Sequence, residues 1–446
     1  MGPTLNFPDH VTIVGGGLAG SEAAWQLARQ GIGVHLLEMK PVAFSPAHKS
    51  PLLGELVCSN SLKSLQTTTA TGVLKEELTI LGSLIMDVAR HHAVPAGNAL
   101  SVDRERFALE ITEKLSNHPL VQIEHRVIHS LEEIPDKPAI LATGPLTHPD
   151  LIEDLKHKTG STLLYFYDAT SPIIYADSIN TSIVFRASRY NKGGDDYLNV
   201  PLNREQYERF VDAILNAEKV GLHPFESETY YEGCMPIEIL AARGRETLAF
   251  GPMKPVGLTD PRTGHRPYAV IQLRQEDLSR ELYSMVGFQT KMTYREQERI
   301  FRTLPGLEKA EFARFGTIHR NFYLHSPEVV TSRLELKDIP GVHITGQITG
   351  VEGYLESTAI GLLVALFLLT PEDFPPPPPT TVLGGLYRHI ITLQKKFSPM
   401  GANWGLVSPL EQRVKRKEKK QAFAVRALRD IKAWTEKLEQ LLGNKR

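Results

Sequence analysis

The sequence predicts an α/β protein whose central sheet is parallel, and three glycine-rich strand ends support this prediction. The first is the most complete: a β-branched run, Val11–Val14, leads through a glycine turn into a helix from about Ser21 to Gln30. Two later apolar strands, near 139–142 and 342–345, also run into glycine at their carboxyl ends. Continuous apolar runs are typical of strands that are buried in a parallel sheet between layers of helices. We therefore expect a Rossmann-like arrangement.

The glycine turn carries a dinucleotide-binding fingerprint. In the pattern G-x-G-x-x-G, the glycines permit a tight turn, close approach to a pyrophosphate and close packing of helix on strand. A second strand, Val34–Leu37, ends at Glu38, whose carboxylate can accept hydrogen bonds from a ribose hydroxyl. The residues expected to contact an adenine dinucleotide are Gly15, Gly16, Gly17, Leu18, Ala19, Gly20 and Glu38. At this point NAD and FAD both remain open.

The two later strand ends favour FAD. Thr143-Gly144 and Gly346-Gln347 each follow an apolar strand, and ligands bind at the carboxyl edge of such a sheet. The turn that extends to Gly353 also precedes a helix, whose first amides can face the flavin or its phosphate side. Three glycine-rich strand ends with this spacing are typical of flavoproteins in which the C-terminal part of the chain returns to the first sheet. We therefore predict a discontinuous FAD-binding domain.

The expected domain organisation follows from the return of the C-terminal part of the chain to the first sheet. The FAD-binding domain is predicted to comprise residues 1–180 and 335–446, and an α+β domain is inserted at 181–334. Five consecutive prolines, 375–379, predict an extended linker. Helices are expected after it at 383–395 and 410–442. Earlier in the chain, periodicity and capping predict helices at 72–92, 107–115, 204–217 and 356–369, with Asp103 as a helix cap, and a strand at 121–128.

Composition places the chain among globular proteins with more than one domain. It has 446 residues, of which 41% are hydrophobic and 23% charged. The N-terminal residues lack the pattern of a secretory signal, and the longest apolar run, Leu362–Leu369, is far shorter than the roughly 20 residues that span a bilayer. Two cysteines do not make a disulfide framework. A cytoplasmic enzyme without membrane contact is expected, and a monomer is plausible.

Charge is unevenly distributed although the net charge is only −1. From Glu411 to Arg446 there are twelve Lys or Arg residues against five Asp or Glu, a net charge of +7. The densest part includes Arg413, Lys415 and Arg416. This segment is interpreted either as the solvated face of a helix or as a surface that contacts nucleic-acid phosphates without reading sequence.

The two cysteines, Cys58 and Cys234, are the candidate reactive groups. They lie too far apart in sequence for a C-x-x-C redox pair, although they could meet in space. Cys234 stands between Gly233 and Met235-Pro236, with Glu232 and Glu238 nearby, an unusual setting for a packed core residue. A structural role and a role as nucleophile are therefore about equally supported by the residues themselves.

Several motifs together resemble a known family. They are Gly15–Ala23, Glu55–Leu62, Val94–Gly97, Ala142–Thr147, Tyr165–Asp168, Glu232–Glu238, Gly251–Leu258 and Gly346–Tyr354. This set is similar to that of the folate- and FAD-dependent tRNA (uracil-5-)-methyltransferases, the TrmFO family. The resemblance extends from about residue 11 to residue 410. The segment Pro399–Trp404 and Asn98 depart from the family pattern, and neither departure touches the cysteines.

The resemblance implies a specific reaction. Members of the family take a one-carbon unit from 5,10-methylenetetrahydrofolate and, with FAD that NADPH or NADH has reduced, form 5-methyluridine at position 54 in the T loop of tRNA. A thiolate is a good group to add to C6 of uracil, which makes C5 nucleophilic. The resemblance implies that Cys234 forms this adduct. Cys58 would lie close to the flavin and assist proton removal or protect an intermediate.

Other residues receive roles on the same basis. Tyr354 is expected to stack on the isoalloxazine ring. Contacts to folate or to tRNA phosphates are expected from Lys254, His319, Arg320, Asn321, Arg243, Arg245, Arg413, Lys415 and Arg416. No metal is expected. The alternatives are a GidA/MnmG-type flavoprotein that modifies the wobble uridine of tRNA, an FAD oxidoreductase of a small molecule, and a non-catalytic FAD-binding module.

Overall fold

The structure is a computed structural model that describes residues 8–160, 164–191, 194–221, 230 and 234–443. Its strands are β1 (His10–Val14), β2 (Gly33–Glu38), β3 (Ser61–Ser64), β4 (Ala93–Val94), β5 (Ala99–Val102), β6 (Val121–His125), β7 (Ala139–Leu141), β8 (Leu164–Ala169), β9 (Ile173–Tyr175), β10 (Phe185–Arg186), β11 (Tyr197–Leu202), β12 (Ala269–Gln275), β13 (Leu282–Met285), β14 (Phe312–Arg314), β15 (Ile318–Tyr323) and β16 (Val342–Ile344). Its helices are α1 (Leu18–Ala28), α2 (Ala70–Ile80), α3 (Leu84–His91), α4 (Arg104–Ser116), α5 (Pro149–Thr159), α6 (Arg204–Leu215), α7 (Ile237–Ala242), α8 (Thr247–Phe250), α9 (Tyr294–Phe301), α10 (Ser326–Val329), α11 (Tyr354–Leu368), α12 (Val382–Ile391) and α13 (Lys419–Gly443).

The first sheet is parallel, with the strand order β16-β7-β1-β2-β6. Its carboxyl ends lie in register, since Val14 pairs with Leu37 on one side and Leu141 on the other. Helix α1 follows β1 and helix α11 follows β16, which β7 separates from β1 in the sheet. The two helices pack closely, since a Cβ at Gly361 would lie only 2.3 Å from the carbonyl oxygen of Ala19. The predicted α/β fold with a parallel sheet is confirmed.

The second sheet is antiparallel, with the strand order β10-β11-β12-β13-β9-β14. Helices α6, α7 and α9 contribute to its core, in which Tyr207, Phe210, Phe288 and Phe301 are fully buried. This core is separate from that of the parallel sheet. The inserted part of the chain is thus an α+β unit.

A two-stranded ribbon of β8 and β15 connects the two sheets. Strand β9, which starts at Ile173, already belongs to the second sheet, whereas Phe322 on β15 packs into the first core. We therefore propose domain boundaries near 172 and 316 in place of 181 and 334. The sequence did not indicate these boundaries, because the apolar residues of the ribbon strands resemble those of the neighbouring strands.

The C-terminal part of the chain packs on the first domain. The carboxylate of Glu77 on α2 accepts hydrogen bonds from the amides of Val382 and Leu383 at the start of α12, both at 2.8 Å. Trp434 on α13 donates to the carbonyl of Pro375 at 2.9 Å, so the proline run, which joins α11 to α12, contacts α13 at its first residue. Among the described residues, no helix is long and apolar enough to cross a membrane.

Several element boundaries differ from those predicted. The helix expected at 72–92 is two helices, because Gly82 between them has a φ of +72°. Asp103 caps α4 as expected, by accepting from the amide of Arg106. The strand predicted at 121–128 ends at 125. The final helix starts at Lys419 and not at 410, so the prediction that Arg413–Arg416 could form a helix face is wrong.

Candidate active site

A cleft of about 1120 Å³, counting its part open to solvent, runs along the carboxyl edge of the parallel sheet. Loops that follow all five strands line it, as expected where the chain order reverses in an open α/β sheet. Of the predicted cofactor-binding residues, those that line it are Gly15, Gly17, Leu18, Ala19, Glu38, Thr143, Gly144, Gly346, Gln347 and Tyr354. Gly16, Gly20 and Gly353 do not line it and act through the backbone.

The glycine turn shows why these positions lack side chains. Gly15 has a φ of +102°, and a Cβ there would lie 2.6 Å from the carbonyl oxygen of Ala142. A Cβ at Gly20 would lie 1.9 Å from the carbonyl oxygen of Gly15. At Gly17, by contrast, a Cβ would meet nothing within 4 Å, because this residue faces the open cleft at the start of α1. The positive end of α1 is thus open to an anionic group.

Glu38 is held rigidly at the end of β2. Only 4% of the residue is exposed, and its carboxylate accepts hydrogen bonds from the amides of Gly16 at 2.6 Å and Lys40 at 3.0 Å. A carboxylate has about four acceptor positions in all. Acceptor positions therefore remain for a hydroxyl group in the cleft, as the fingerprint predicted.

Sequence reasoning missed part of the cleft. Residues 126–128, which follow β6, line it, as do Lys40, His48 and Glu55 from the loop after β2. The position of 126–128 at the carboxyl end of a strand in the same sheet was the available signal. The loop after β2 offered no such signal, because only the tertiary structure shows which of its residues reach the cleft.

Gly353 and Tyr354 connect the cleft to the thiols. Gly353, with a φ of +126°, forms the N-terminal cap of α11. The hydroxyl of Tyr354 accepts hydrogen bonds from the amides of Cys58 at 2.7 Å and Ser59 at 3.2 Å. Tyr354 therefore fixes the thiol-bearing loop at the wall of the cleft. Its stacking on an isoalloxazine ring stays a prediction.

The loop that carries Cys58 is also held by the inserted domain. Arg104, paired with Glu276, donates to the carbonyl of Leu56 at 2.8 Å and to that of Cys58 at 3.4 Å. Arg274 donates to the side chains of Ser59 and Asn60, each at 2.8 Å. The polar residues around Cys58 thus lock the loop between the two domains.

The two thiols meet. The Sγ atoms of Cys58 and Cys234 and a carboxylate oxygen of Asp168 lie within 4.8 Å of one another. The thiol of Cys58 also donates a weak hydrogen bond to the carbonyl of Ala169 at 3.8 Å. The possibility that the cysteines come together, which their spacing left open, is thus confirmed.

The electrostatic surroundings keep Cys234 protonated at rest. The pKa of this thiol is raised well above its ordinary value by a hydrogen bond with Cys58, by burial, and by the charges of Asp168 and Glu352. Burial raises the pKa of Asp168 to about 6, although hydrogen bonds from Cys234, Asn321 and the amide of Ala169 oppose this rise. Burial and the neighbouring charge of Asp168 raise the pKa of Glu352 well above its usual range.

These acids are not the ones that the sequence placed beside Cys234. Glu238 is buried next to Thr290, whose hydroxyl donates to its carboxylate. Glu232 and Gly233 lie outside the described residues. The carboxylates that act on the Cys234 thiol come instead from β8 and from the turn before α11, far away in sequence.

Residues 319–321, which the sequence grouped together, lie on β15, where successive side chains point to opposite faces. His319 pairs with Asp168 across the ribbon, and Asn321 lies on the same face and acts to lower the pKa of Asp168. Arg320 is on the opposite face, where its guanidinium lies 3.5 Å from the centre of the Tyr165 ring. His319 and Asn321 therefore belong to the thiol site, and Arg320 does not.

The other predicted folate or tRNA contacts lie on the surface. They are exposed, and none lines the cleft: Lys254, Arg243, Arg245, Arg413, Lys415 and Arg416. Arg245 pairs with Asp212. A separate cluster of metal-ligating types, His129, His148 and Asp150, lies largely at the surface, and its three ligand atoms are within 4.8 Å of one another.

Comparison with known proteins places this site in a family. The family model described as "Glucose inhibited division protein A", GIDA, matches residues 10–370. A protein of Geobacter sulfurreducens is 53% identical over 433 residues, which are 95% of this chain and 98% of the relative. One of Syntrophotalea carbinolica is 52% identical over 443 residues, 98% of this chain and 96% of the relative. Both are described as methylenetetrahydrofolate--tRNA-(uracil-5-)-methyltransferase TrmFO.

The chain belongs to the TrmFO family. Its fold is also that of Aquifex aeolicus GidA, whose structure matches with a TM-score of 0.66 at 16% identity. That match covers 98% of this chain but 76% of the GidA chain. Nearly the whole length of these TrmFO relatives is matched, so the resemblance seen in the motifs extends over 95–98% of this chain.

Proposed function

We propose that this protein is a folate- and FAD-dependent tRNA (uracil-5-)-methyltransferase. The observation that carries the proposal is the meeting of Cys58 and Cys234 beside the dinucleotide cleft, in a chain of the TrmFO family. A binding module or an ordinary reductase has no need of a half-buried thiol pair at this place. The carbon donor is 5,10-methylenetetrahydrofolate, and the product is tRNA that carries 5-methyluridine.

The cleft fits FAD. The open first turn of α1 suits the pyrophosphate, Glu38 suits a ribose hydroxyl, and the turn at Gly346-Gln347 suits the flavin half. When bound, FAD supplies after its reduction the hydride equivalent that converts a methylene group to a methyl group. NADPH or NADH is the proposed source of these electrons.

The thiols suit addition to uracil. Carbon C5 of uracil is a poor nucleophile until a group adds to C6, and a thiolate is well suited to this addition. We assign the adduct to Cys234, whose segment enters from the inserted domain. Cys58, fixed by Tyr354 at the cleft wall, is assigned to the flavin side, where it assists removal of the C5 proton.

The substrate uridine must leave its loop to reach these half-buried thiols. Position 54 lies inside the folded T loop of tRNA, and exposing a base costs a few kcal/mol. The exposed basic residues Arg413, Lys415 and Arg416 are proposed to bind phosphates and to help repay this cost. A tRNA substrate and two thiols that work in reduced form favour a cytoplasmic location.

One assay tests the proposal. The FAD-loaded protein is incubated with unmodified tRNA, 5,10-methylenetetrahydrofolate and NADPH, and the digested tRNA is analysed for 5-methyluridine. We expect the modified nucleoside from the native chain and none from Cys234→Ala, which should keep its flavin because Cys234 does not line the cleft. A native enzyme that reduces its flavin but leaves uridine unmethylated would contradict the proposal and favour a small-molecule oxidoreductase.

A further inference from the structure

Asp168 occupies a singular position in the thiol site. One of its carboxylate oxygens lies within 4.8 Å of both sulfur atoms, and its charge acts on the Cys234 thiol. Asp168 faces His319 on the opposite strand of the ribbon. Its other oxygen, Oδ1, is buried without a hydrogen-bond partner among the described residues. A buried acceptor without a partner is costly, and such groups are often kept for chemistry.

The reaction sets a proton-transfer problem that this position solves. Only a thiolate adds efficiently to uracil, yet the surroundings of Cys234 favour the protonated thiol. The proton must therefore leave as the carbon–sulfur bond forms. The receiving group has to touch the sulfur already and has to be a stronger base than an exposed carboxylate.

We propose that Asp168 is the base that takes the proton of the Cys234 thiol as the sulfur adds to C6 of the target uracil. This inference rests on the proposed function. The S–H bond breaks and the proton passes to a carboxylate oxygen of Asp168, while the S–C6 bond forms and the electron pair of the C5–C6 double bond moves towards C5 and O4. When the S–C6 bond later breaks and the double bond is restored, the sulfur recovers the same proton.

Neighbouring groups are less suited to this task. Glu352 interacts with Asp168 through its charge, but its own carboxylate accepts from the side chain of Gln347, and it is not in the group of ligand atoms within 4.8 Å of both sulfur atoms. Glu238 is engaged by Thr290. The hydroxyl of Tyr354 already accepts from two amides, and burial raises its pKa further above the ordinary value. Among the described residues, Asp168 is the acid whose carboxylate oxygen lies within 4.8 Å of both sulfur atoms.

The test uses Asp168→Asn in the FAD-loaded full chain, because asparagine keeps the shape and cannot accept a proton. Two rates at pH 8 separate proton transfer from a merely electrostatic role. The first is alkylation of Cys234 by iodoacetamide, followed by peptide mass spectrometry. Loss of the nearby negative charge lowers the thiol pKa, so alkylation should become about tenfold faster. The second is covalent adduct formation with a T-loop RNA that contains 5-fluorouridine, which should become about 10²- to 10⁴-fold slower.

Opposite changes in the two rates are the expected result, and an adduct rate equal to the native one would overturn the inference. If both rates fall, the decisive variant is Asp168→Ala, to which formate is added as a replacement carboxylate. Recovery of adduct formation would support proton transfer to Asp168, and a lack of recovery would overturn the inference. Asp260→Asn, a buried aspartate of the inserted domain that pairs with Arg262, is the matched control and should change neither rate. Failure of the proposed function would look different, since the native enzyme itself would then form no 5-methyluridine.

Discussion

Alanine substitutions at two glycines of the same turn should have different consequences. In Gly20→Ala, the new Cβ would lie 1.9 Å from the carbonyl oxygen of Gly15 and 3.1 Å from the Cβ of Ala142, so α1 must move away from the turn. Overpacking of this kind costs about 1–3 kcal/mol, and the gain in helix propensity offsets about 1 kcal/mol of it. The 1.9 Å approach to a backbone oxygen places the overpacking cost in the upper part of that range, about 2–3 kcal/mol, so we expect a net loss of about 1–2 kcal/mol in the free energy of unfolding of the flavin-free protein.

Flavin binding should weaken in Gly20→Ala as well. Displacement of the turn loses one or two hydrogen bonds to a charged phosphate, each worth about 1.5–3 kcal/mol, so the affinity for FAD should fall at least tenfold. Urea unfolding and fluorescence titration with FAD measure the two effects. An unfolding midpoint equal to that of the native protein would refute the close approach of α1 to the turn.

Gly17→Ala is the matched variant. Gly17 has a φ of −69°, which alanine adopts freely, and no atom lies within 4 Å of the new Cβ. The free energy of unfolding should therefore stay within about 0.5 kcal/mol of the native value. The methyl group projects into the cleft, so FAD affinity should still fall about tenfold or more through loss of one such hydrogen bond. Native affinity in this variant would show that the pyrophosphate does not approach here.

Three further outcomes are expected. Tyr354→Phe leaves the amides of Cys58 and Ser59 without their acceptor, so urea unfolding should show a loss of about 1–3 kcal/mol, and an unchanged free energy of unfolding would contradict the role of the hydroxyl. In the folded protein, burial and the charge of Arg314 lower the pKa of His319 from 6.5 to about 4. As the pH falls from 6.5 towards 4, the unfolded chain therefore binds a proton that the folded protein does not, and the free energy of unfolding decreases. His319→Gln should therefore flatten the dependence of unfolding free energy on pH in that interval, and an equally steep dependence would exclude His319 as its source. Changing Arg413, Lys415 and Arg416 together to alanine should weaken tRNA binding and leave the flavin spectrum unaltered. The slope of log binding constant against log salt concentration should become less steep by up to about 3. An unchanged slope would show that the tRNA binds elsewhere on the protein.

The cofactor cleft was predictable because its chemistry is local in sequence. Strand, glycine turn, helix and acid are arranged within residues 11–38, and each later strand end carries its own glycine. The carboxyl ends of parallel strands meet at one edge, so recognising the strands was enough to bring these segments together. Boundaries that depend on packing were less predictable, as the start of α13 shows, because the residues that this helix packs against lie elsewhere in the chain.

The thiol site was only partly predictable. The sequence and its resemblance to a family indicated both cysteines, but they placed Glu238 beside Cys234, and they grouped Arg320 with its neighbours. The alternation of β15 directs Arg320 away from the site, and the ribbon with β8 brings Asp168 to the sulfur atoms instead. No spacing in the sequence indicates an antiparallel pairing of two strands that a whole domain separates.

The sequence by itself thus determined the parallel α/β fold, the dinucleotide cleft and the identity of the two thiols. Tertiary structure decided that Cys58, Cys234 and Asp168 meet, and that Tyr354 and the residues of β12 fix the Cys58 loop at the cleft. The physical reason is the range of the interactions. Backbone turns and helix ends depend on neighbouring residues, whereas the protonation of a buried thiol depends on charges that only the folded topology brings within a few ångströms.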